Sequence, residues 1–285
     1  MVIANPIYDV VFKRLMENEK VVKFFIGTLL EEEIERVEVQ PQEFTYTEEL
    51  IGVALFRLDF VATIKTATGE NKKILVEIQK ARNPVDVMRF RNYLAEHYKK
   101  EDRIQQQTTP LPITTIYILG FTLPGIDSPC VKVERQYRDL VHNHIISAKS
   151  DFIEKLTHDS FVVQVERITD RYQSHLDKLL SLFEQRHFTD DSTTLKEFTH
   201  EADVEEVRIM AEILHCCGTE PEERKQLDIE REAWRTINAM LRPGQEQLQQ
   251  ELQELEEKDK ELEEKDKELE EKDRLIAELR RKLGE

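Results

Sequence analysis

Apolar positions recur with two different periods along the first 120 residues, and the switches between them outline a fold. Ile7, Val10, Val11 and Leu15, then Val22, Phe25 and Leu29, keep near-helical spacing. This predicts a helix from Asn5-Pro6, with Asn at the cap and Pro in the first turn, to about residue 33. Val37 and Val39 alternate with charges as a short strand would, and Pro41 to Glu49 reads as loop. Val53 to Ile64 is rich in strand formers, Thr66 to Asn71 is a turn built around Gly69, and Lys73 to Lys80 returns as a second strand. Pro84 opens a helix to about Lys100, with Val87, Phe90, Leu94 and Tyr98 on its apolar side. Ile113 to Leu119 is a third strand, bounded by Pro110 and Pro112 before it and Gly120 after it. A strand–hairpin–strand–helix–strand order implies an α/β core with a mixed sheet.

After about Phe161 the pattern turns helical. Leu176, Leu179, Leu180 and Phe183 mark one amphipathic segment, 204–216 a second, and 221–241 a third that Pro243-Gly244 stops. The end of the chain is a repeat: Lys-Glu-Leu-Glu-Glu-Lys-Asp stands at 260–266 and again at 267–273. Leu255, Leu262, Leu269, Ile276 and Leu283 fall seven apart, the spacing of a heptad seam. The second seam holds Asp259, Asp266 and Asp273 or Lys258, Lys265 and Lys272. The segment therefore reads either as a solvated single helix or as a weak oligomerising coil. Three regions result: a core over 1–165, a helical subdomain over 166–244 and a charged heptad helix over 245–285.

Composition changes this picture in one respect. Charged residues make up 35% of the 285 and the formal net charge is −17, against a usual charged share of about 25%. An acidic chain is a poor general ligand for phosphates, which need clustered Lys and Arg. Lys72 to Arg103 departs from that balance, with 9 Lys/Arg against 5 Asp/Glu. Cys130, Cys216 and Cys217 form no C-x-x-C unit, so neither a zinc ribbon nor a disulfide framework is indicated. The first residues lack a basic-then-apolar leader, and the apolar stretch near 113–123 is too short to span a bilayer. A cytoplasmic protein with no membrane partner is the expectation.

The chemistry concentrates on the predicted hairpin. Leu75, Glu77 and Gln79 share one face of a strand, and Ile74, Val76 and Ile78 the other. A carboxylate between Val76 and Ile78 is costly to bury without a counter-charge or a metal. Asp59 stands between Leu58 and Phe60 in an equally apolar run. Two carboxylates from neighbouring strands can converge on one hard cation such as Mg²⁺. They can equally be structural acids paired with Arg57 or a lysine.

An ordered set of residues on these elements resembles the PD-(D/E)xK nuclease superfamily, and within it the Rpn family of recombination-promoting, transposase-like nucleases. The set is Asn5-Pro6 and Asp9-Val-Val-Phe12-Lys13-Arg-Leu15, then Arg57-Leu58-Asp59, Val76-Glu77-Ile78-Gln79, Arg89 with Tyr93, and Ile116-Tyr-Ile-Leu-Gly-Phe121. The resemblance implies a restriction-endonuclease-like core, a mixed central sheet flanked by helices, and hydrolysis of DNA phosphodiester bonds with Mg²⁺ or Mn²⁺. It implies Asp59 and Glu77 as metal ligands and Gln79 as the third catalytic residue. Gln79 stands where the superfamily often carries Lys; the Rpn-like branch shares this departure, and an uncharged amide stabilises developing charge less. Lys80 is next door, but a strand turns it to the opposite face. Arg89, Tyr93, Lys80 and Arg82 are candidate DNA contacts, the first two equally an ordinary solvated helix face. Asp9 is a candidate further acid or simply a first-turn carboxylate favoured by the helix dipole.

A different class of function is open as well: an inactive nuclease fold serving as scaffold, with the heptad helix 245–285 mediating homo-oligomer formation. RNA would suit the same chemistry as DNA. Other patterns carry less. His142-Asn143-His144 spells a nuclease motif whose residues need to be dispersed, Cys216-Cys217-Gly218 marks a helix end, and Trp234 reads as a packing residue. No Walker-type loop, G-x-S-x-G or H-E-x-x-H is present.

Overall fold

The computed structural model describes residues 1–40, 59–80, 86–104, 107–189, 193–236 and 239. The expected loop and strand start before Asp59, with Arg57, as well as Arg82 and the heptad segment 245–285, lie outside the described residues. Met1–Arg231 form one compact unit. Glu232–Glu285 form another, whose described residues, 232–236 and 239, are helical.

The first unit runs β1 (Val2–Ala4), α1 (Asp9–Met16), α2 (Glu19–Leu30), β2 (Ile34–Gln40), β3 (Asp59–Thr66), β4 (Asn71–Gln79) and α3 (Asp86–Lys99). It continues with β5 (Asp102–Ile104), β6 (Gln107–Thr109), β7 (Ile113–Leu119), β8 (Cys130–Val133), β9 (Tyr137–Asp139) and β10 (His144–Ile146). Then come α4 (Asp151–Leu156), β11 (His158–Gln164), α5 (His175–Ser181), β12 (Leu195–Glu197) and α6 (Glu205–Thr219), followed by a helix over 221–231. Six strands form a mixed central sheet in the order β2-β3-β4-β7-β11-β8. β2, β3 and β4 are antiparallel neighbours; β7 runs parallel to β4, β11 parallel to β7, and β8 closes the edge antiparallel. The α/β reading holds, and the hairpin, α3 and β7 fall where the periodicity predicts them.

The hairpin turn explains itself locally. Gly69 has φ +89°, a conformation that favours glycine, and Thr66 closes the turn: its carbonyl accepts from Gly69 N at 2.9 Å and its hydroxyl from Glu70 N at 3.1 Å. The first helix, by contrast, is two helices. Asn18 accepts from Lys20 N at 3.0 Å and Val21 N at 3.3 Å, and this side-chain cap restarts the chain as α2. Nor does Asn5 cap a helix. It is buried, and its amide donates to Gln185 Oε1 at 2.9 Å and Thr193 O at 3.0 Å; α1 begins at Asp9.

Each face of the sheet has its own apolar layer. Ile74, Val76 and Ile78 join Phe60, Ile116, Ile118, Phe161 and Val163 in the larger core, which also takes in α1, α2 and α6. Leu75, with Val61 and Ile113, packs beneath Leu94, Phe90 and Tyr93 of α3. Residues 166–231 are not set apart from this core. β12 pairs with β1, and α6 packs against β1, α1 and α2. The purely helical expectation after 161 also overlooked β11, whose apolar positions Phe161 and Val163 belong to a strand docked on β7. Among the described residues no helix is long and apolar enough to cross a membrane.

One buried cation makes the fold pH-sensitive. Lys196 of β12 is 1% exposed, and its Nζ donates to the carbonyls of Ser181 at 3.2 Å and Glu184 at 2.5 Å, at the C-terminal end of α5. Burial pushes its pKa down to about 7, against the pull of Glu184. The unfolded lysine keeps a value near 10.5. Between those limits the unfolded chain binds more protons, so stability rises with pH across the window. Thermal melts should therefore show the native chain gaining on Lys196→Met as pH goes from 7 to about 10; a constant difference would place the lysine's titration outside this window.

Candidate active site

The β3–β4 ladder pairs Asp59 directly with Glu77. Directly opposed positions on an antiparallel pair share a face, with Cβ atoms about 5 Å apart. Glu77 is buried, 6% exposed, on the face that carries Leu75 and is covered by α3. Gln79 follows two residues on, partly exposed at the end of β4. On the neighbouring strand the residue in register with Glu77 is Tyr117, and that with Gln79 is Leu119. The Tyr117 ring lies 4.3 Å from the Phe90 ring of α3. Burial drives the Tyr117 hydroxyl pKa up, Thr115 opposes this by hydrogen bonding, and the Glu77 carboxylate adds to the rise. A half-buried phenol that holds its proton more tightly beside the buried Glu77 carboxylate marks a partly desolvated patch, where ionic interactions are stronger than in water.

The exits of β4 and β7 approach closely. Gly120 N donates to the Gln79 carbonyl at 2.8 Å, and a Cβ at Gly120 would stand 2.6 Å from the Lys80 carbonyl oxygen. Only glycine fits there, and the contact fixes the end of β4 where Gln79 sits.

Lys80 faces the other way, as strand alternation dictates. Its side chain is 10% exposed, not outward as a DNA contact would require, and it forms an ion pair with Glu230 of helix 221–231. Its Nζ lies 3.9 Å from the centre of the Tyr8 ring. Desolvation lowers its pKa, while Glu230 and then Asp9 favour the charged form. The Glu230 carboxylate also accepts from Asp9 N and Val10 N, both at 3.0 Å. It thereby caps α1 from another element, where the preceding Tyr8 supplies no side-chain cap.

Two groups result. Asp59, Glu77 and Gln79 occupy positions on the α3 face, whereas Asp9, Lys80 and Glu230 meet at the α1 face. Asp9, read as either a further acid or a first-turn carboxylate, is a buried carboxylate in the first turn of α1, on the Lys80 side. Among the described residues no three or more His, Cys, Asp or Glu side chains gather as a metal cage. Tyr93 is half-buried against Phe90 and His97, with ring centres 6.3 and 4.6 Å apart; Arg89 lies one turn earlier on α3. Sequence reasoning missed Glu230 and Tyr117. Glu230 lies 150 residues from Lys80 and carries no local signal, whereas Tyr117 looked like any apolar strand position.

A cavity of about 740 Å³ opens elsewhere, where β4 and β7 begin. Its cations are committed: Lys72 to Glu32 at 2.6 Å, Arg135 to Glu154 at 2.6 Å and Asp159 at 3.0 Å, and Lys155 to Asp151 at 2.8 Å. Size alone does not make it the chemical site, because it holds no carboxylate pair set in an apolar strand.

The buried pair on the α1 face gives a direct test. Removing one member of such a pair costs about 3–5 kcal/mol, since the other charge is left behind. Glu230→Gln should destabilise by about this amount in urea titrations, and Lys80→Met in the same chain should recover a large part. Additive losses would mean that the two side chains do not act as a pair. No protein-family model, characterised protein or solved structure matches this chain.

Proposed function

We propose that this protein is a metal-dependent endonuclease of the PD-(D/E)xK type, Rpn-like, hydrolysing DNA phosphodiester bonds. The observation that carries the reading is the direct opposition of Asp59 and Glu77, with Gln79 two residues further along the same strand face. Support comes also from the element order, in which an antiparallel β2–β3–β4 meander is followed by α3 and a strand parallel to β4. That order suits a restriction-endonuclease-like core.

The donor set fits Mg²⁺, which takes one or two carboxylates and keeps several waters for itself and for substrate oxygens. Asp59 and Glu77 would hold it, with Mn²⁺ able to substitute. When bound, the metal would activate a water and offset charge on the phosphate under attack. The chain's own groups do the rest. The burial of Glu77 keeps its carboxylate from being solvated and strengthens its hold on a cation. The Gln79 amide can both donate to and accept from an attacking water, orienting it without adding positive charge. Arg89 and Tyr93, one helical turn apart on α3, are the candidate contacts to the phosphate backbone, with Arg82 beside them in sequence.

Plasmid nicking in Mg²⁺ or Mn²⁺ tests this. The native chain should cut, EDTA should stop it, and Glu77→Ala purified identically should lose at least about 100-fold in rate, the scale of removing one group that stabilises the transition state. No cutting together with no metal uptake by calorimetry would sink the reading and leave a nuclease-like scaffold.

A further inference from the structure

Between β8 and β11 the chain leaves the central sheet as a two-stranded ribbon and comes back through α4. β9 and β10 pair only with each other among the described strands. Leu140 and Val141 at the turn are 86% and 83% exposed, and Ile145 and Ile146 are 55% and 40% exposed. α4 buries no residue at all, and Phe152 and Leu156, one turn apart on it, are 72% and 58% exposed.

This apolar face is not a loose loop tip. The Tyr137 hydroxyl donates to Glu154 of α4, and Ser150 N donates to the Tyr137 oxygen at 3.3 Å. Arg135 bonds Glu154 at 2.6 Å and Asp159 at 3.0 Å. Ribbon and helix are thus joined at their base, and the exposed side chains are presented on a fixed support.

Area and charge together identify the occupant. Consecutive residues of β10 point to opposite sides of the ribbon, so one of Ile145 and Ile146 joins Leu140, Val141, Phe152 and Leu156. Five large side chains exposing roughly 100 Å² apiece amount to roughly 500 Å² of apolar surface, toward the upper end of what a monomer shows. At the apolar share of an interface core, about 65%, this scales to about 770 Å² per partner, close to the size of a standard interface. Residues 134–159 hold 4 Lys/Arg and 5 Asp/Glu, so the face lacks the cationic excess that a nucleic acid or an anionic membrane requires. It is close to neutral in a chain of net charge −17. Two such faces brought together carry almost no net charge against each other.

We propose that the β9–β10 ribbon and α4 form a homodimer interface in which each copy covers the other's apolar face. α4 leads straight into His158, which pairs with Ile113 and, through β7, lies level with Lys73. The interface therefore sits at the end of the sheet where β4, β7 and β11 begin. Glu77 and Gln79 lie toward the other end of β4, Gln79 six residues and roughly 20 Å from Lys73. A dimer built this way leaves both candidate sites open. It is built from residues other than the heptads, and it stands or falls independently of the nuclease reading.

Sedimentation equilibrium on the full chain, from micromolar to about 100 μM, distinguishes the cases. The native chain should show twice the single-chain mass. Leu140→Asp with Phe152→Asp should fall to the single-chain mass, with dimerisation at least 100-fold weaker, and Leu262→Asp with Leu269→Asp in the heptads should keep the dimer. Unchanged circular dichroism spectra confirm folding, and Val141→Lys gives a second, independent disruption of the face. A native chain that stays monomeric overturns the proposal, whatever else covers the face. Loss of the dimer in the heptad variant but not in the face variants overturns it too.

Discussion

β4 is clamped by a buried lysine at each end, and the two lysines point to opposite faces of the sheet. At its start Lys73, with its side chain 2% exposed, meets Asp102 at 2.6 Å. Just past its end Lys80 meets Glu230. Side chains alternate along a strand, so a register slip of one residue would exchange the faces. It would carry both lysines away from their carboxylates, leave Asp102 and Glu230 buried without them, and turn Glu77 into the α1 layer. Each broken pair costs several kcal/mol, a large part of the stability of an ordinary domain. The Gly69 turn sets the same register from the loop side. Three separate constraints thus agree on the one alignment that opposes Asp59 and Glu77.

The same clamp keeps the charge of Lys80 on the face away from residue 79. Under the proposed reading a lysine at residue 79 would help the chemistry. Lys80 brings an ammonium into a desolvated environment on the other face, where Glu230 and Asp9 favour its charged form against the cost of burial. Gln79, partly exposed on the opposite face, supplies hydrogen-bonding capacity at the end of β4 without adding charge there. Glu230, for its part, joins three elements with one carboxylate: the helix it belongs to, the N-terminus of α1 and the end of β4. Removing it would loosen α1, which has no side-chain cap of its own, and strand the lysine together.

What could be read from the sequence was what is decided locally. The turn at Gly69, the alternation through Ile74, Val76 and Ile78, and the Pro-bounded β7 all follow from spacing within a dozen residues and stand as expected. Of the apolar side read for α3, Phe90 and Leu94 pack on the sheet with Tyr93, whereas Val87 and Tyr98 are exposed at its two ends. The interruption at Asn18 was visible in principle, since Asn before an apolar run is a cap, but continuous periodicity on either side masked it. What was not legible depends on partners far along the chain. Asn5 looks like a helix cap until Gln185 and the Thr193 carbonyl are seen to bind its amide. β11 starts with the polar triplet His158, Asp159 and Ser160, and declares itself a strand only against β7. Of the candidate site, the order of Asp59, Glu77 and Gln79 could be read directly, whereas the environment set by Tyr117 and the opposite-face cluster of Asp9, Lys80 and Glu230 could not.

The parallel strands give the molecule a polarity that separates its two candidate surfaces. β4, β7 and β11 begin level with one another at Lys73, Ile113 and His158 and end level at Gln79, Leu119 and Gln164. Parallel strands need long connections, and those connections crowd the two ends of a sheet differently. In open α/β sheets ligands gather outside the carboxyl ends of the strands, and here Gln79, Gly120 and the close approach of β4 to β7 lie at that end. The amino ends receive the returns through β5 and β6 and through the ribbon and α4. Those returns bring ion pairs and an apolar face but no acid pair within a strand. An interface at the amino ends of these strands lies away from Glu77, which stands toward the other end of β4. The division follows from strand direction alone, before any side chain is considered.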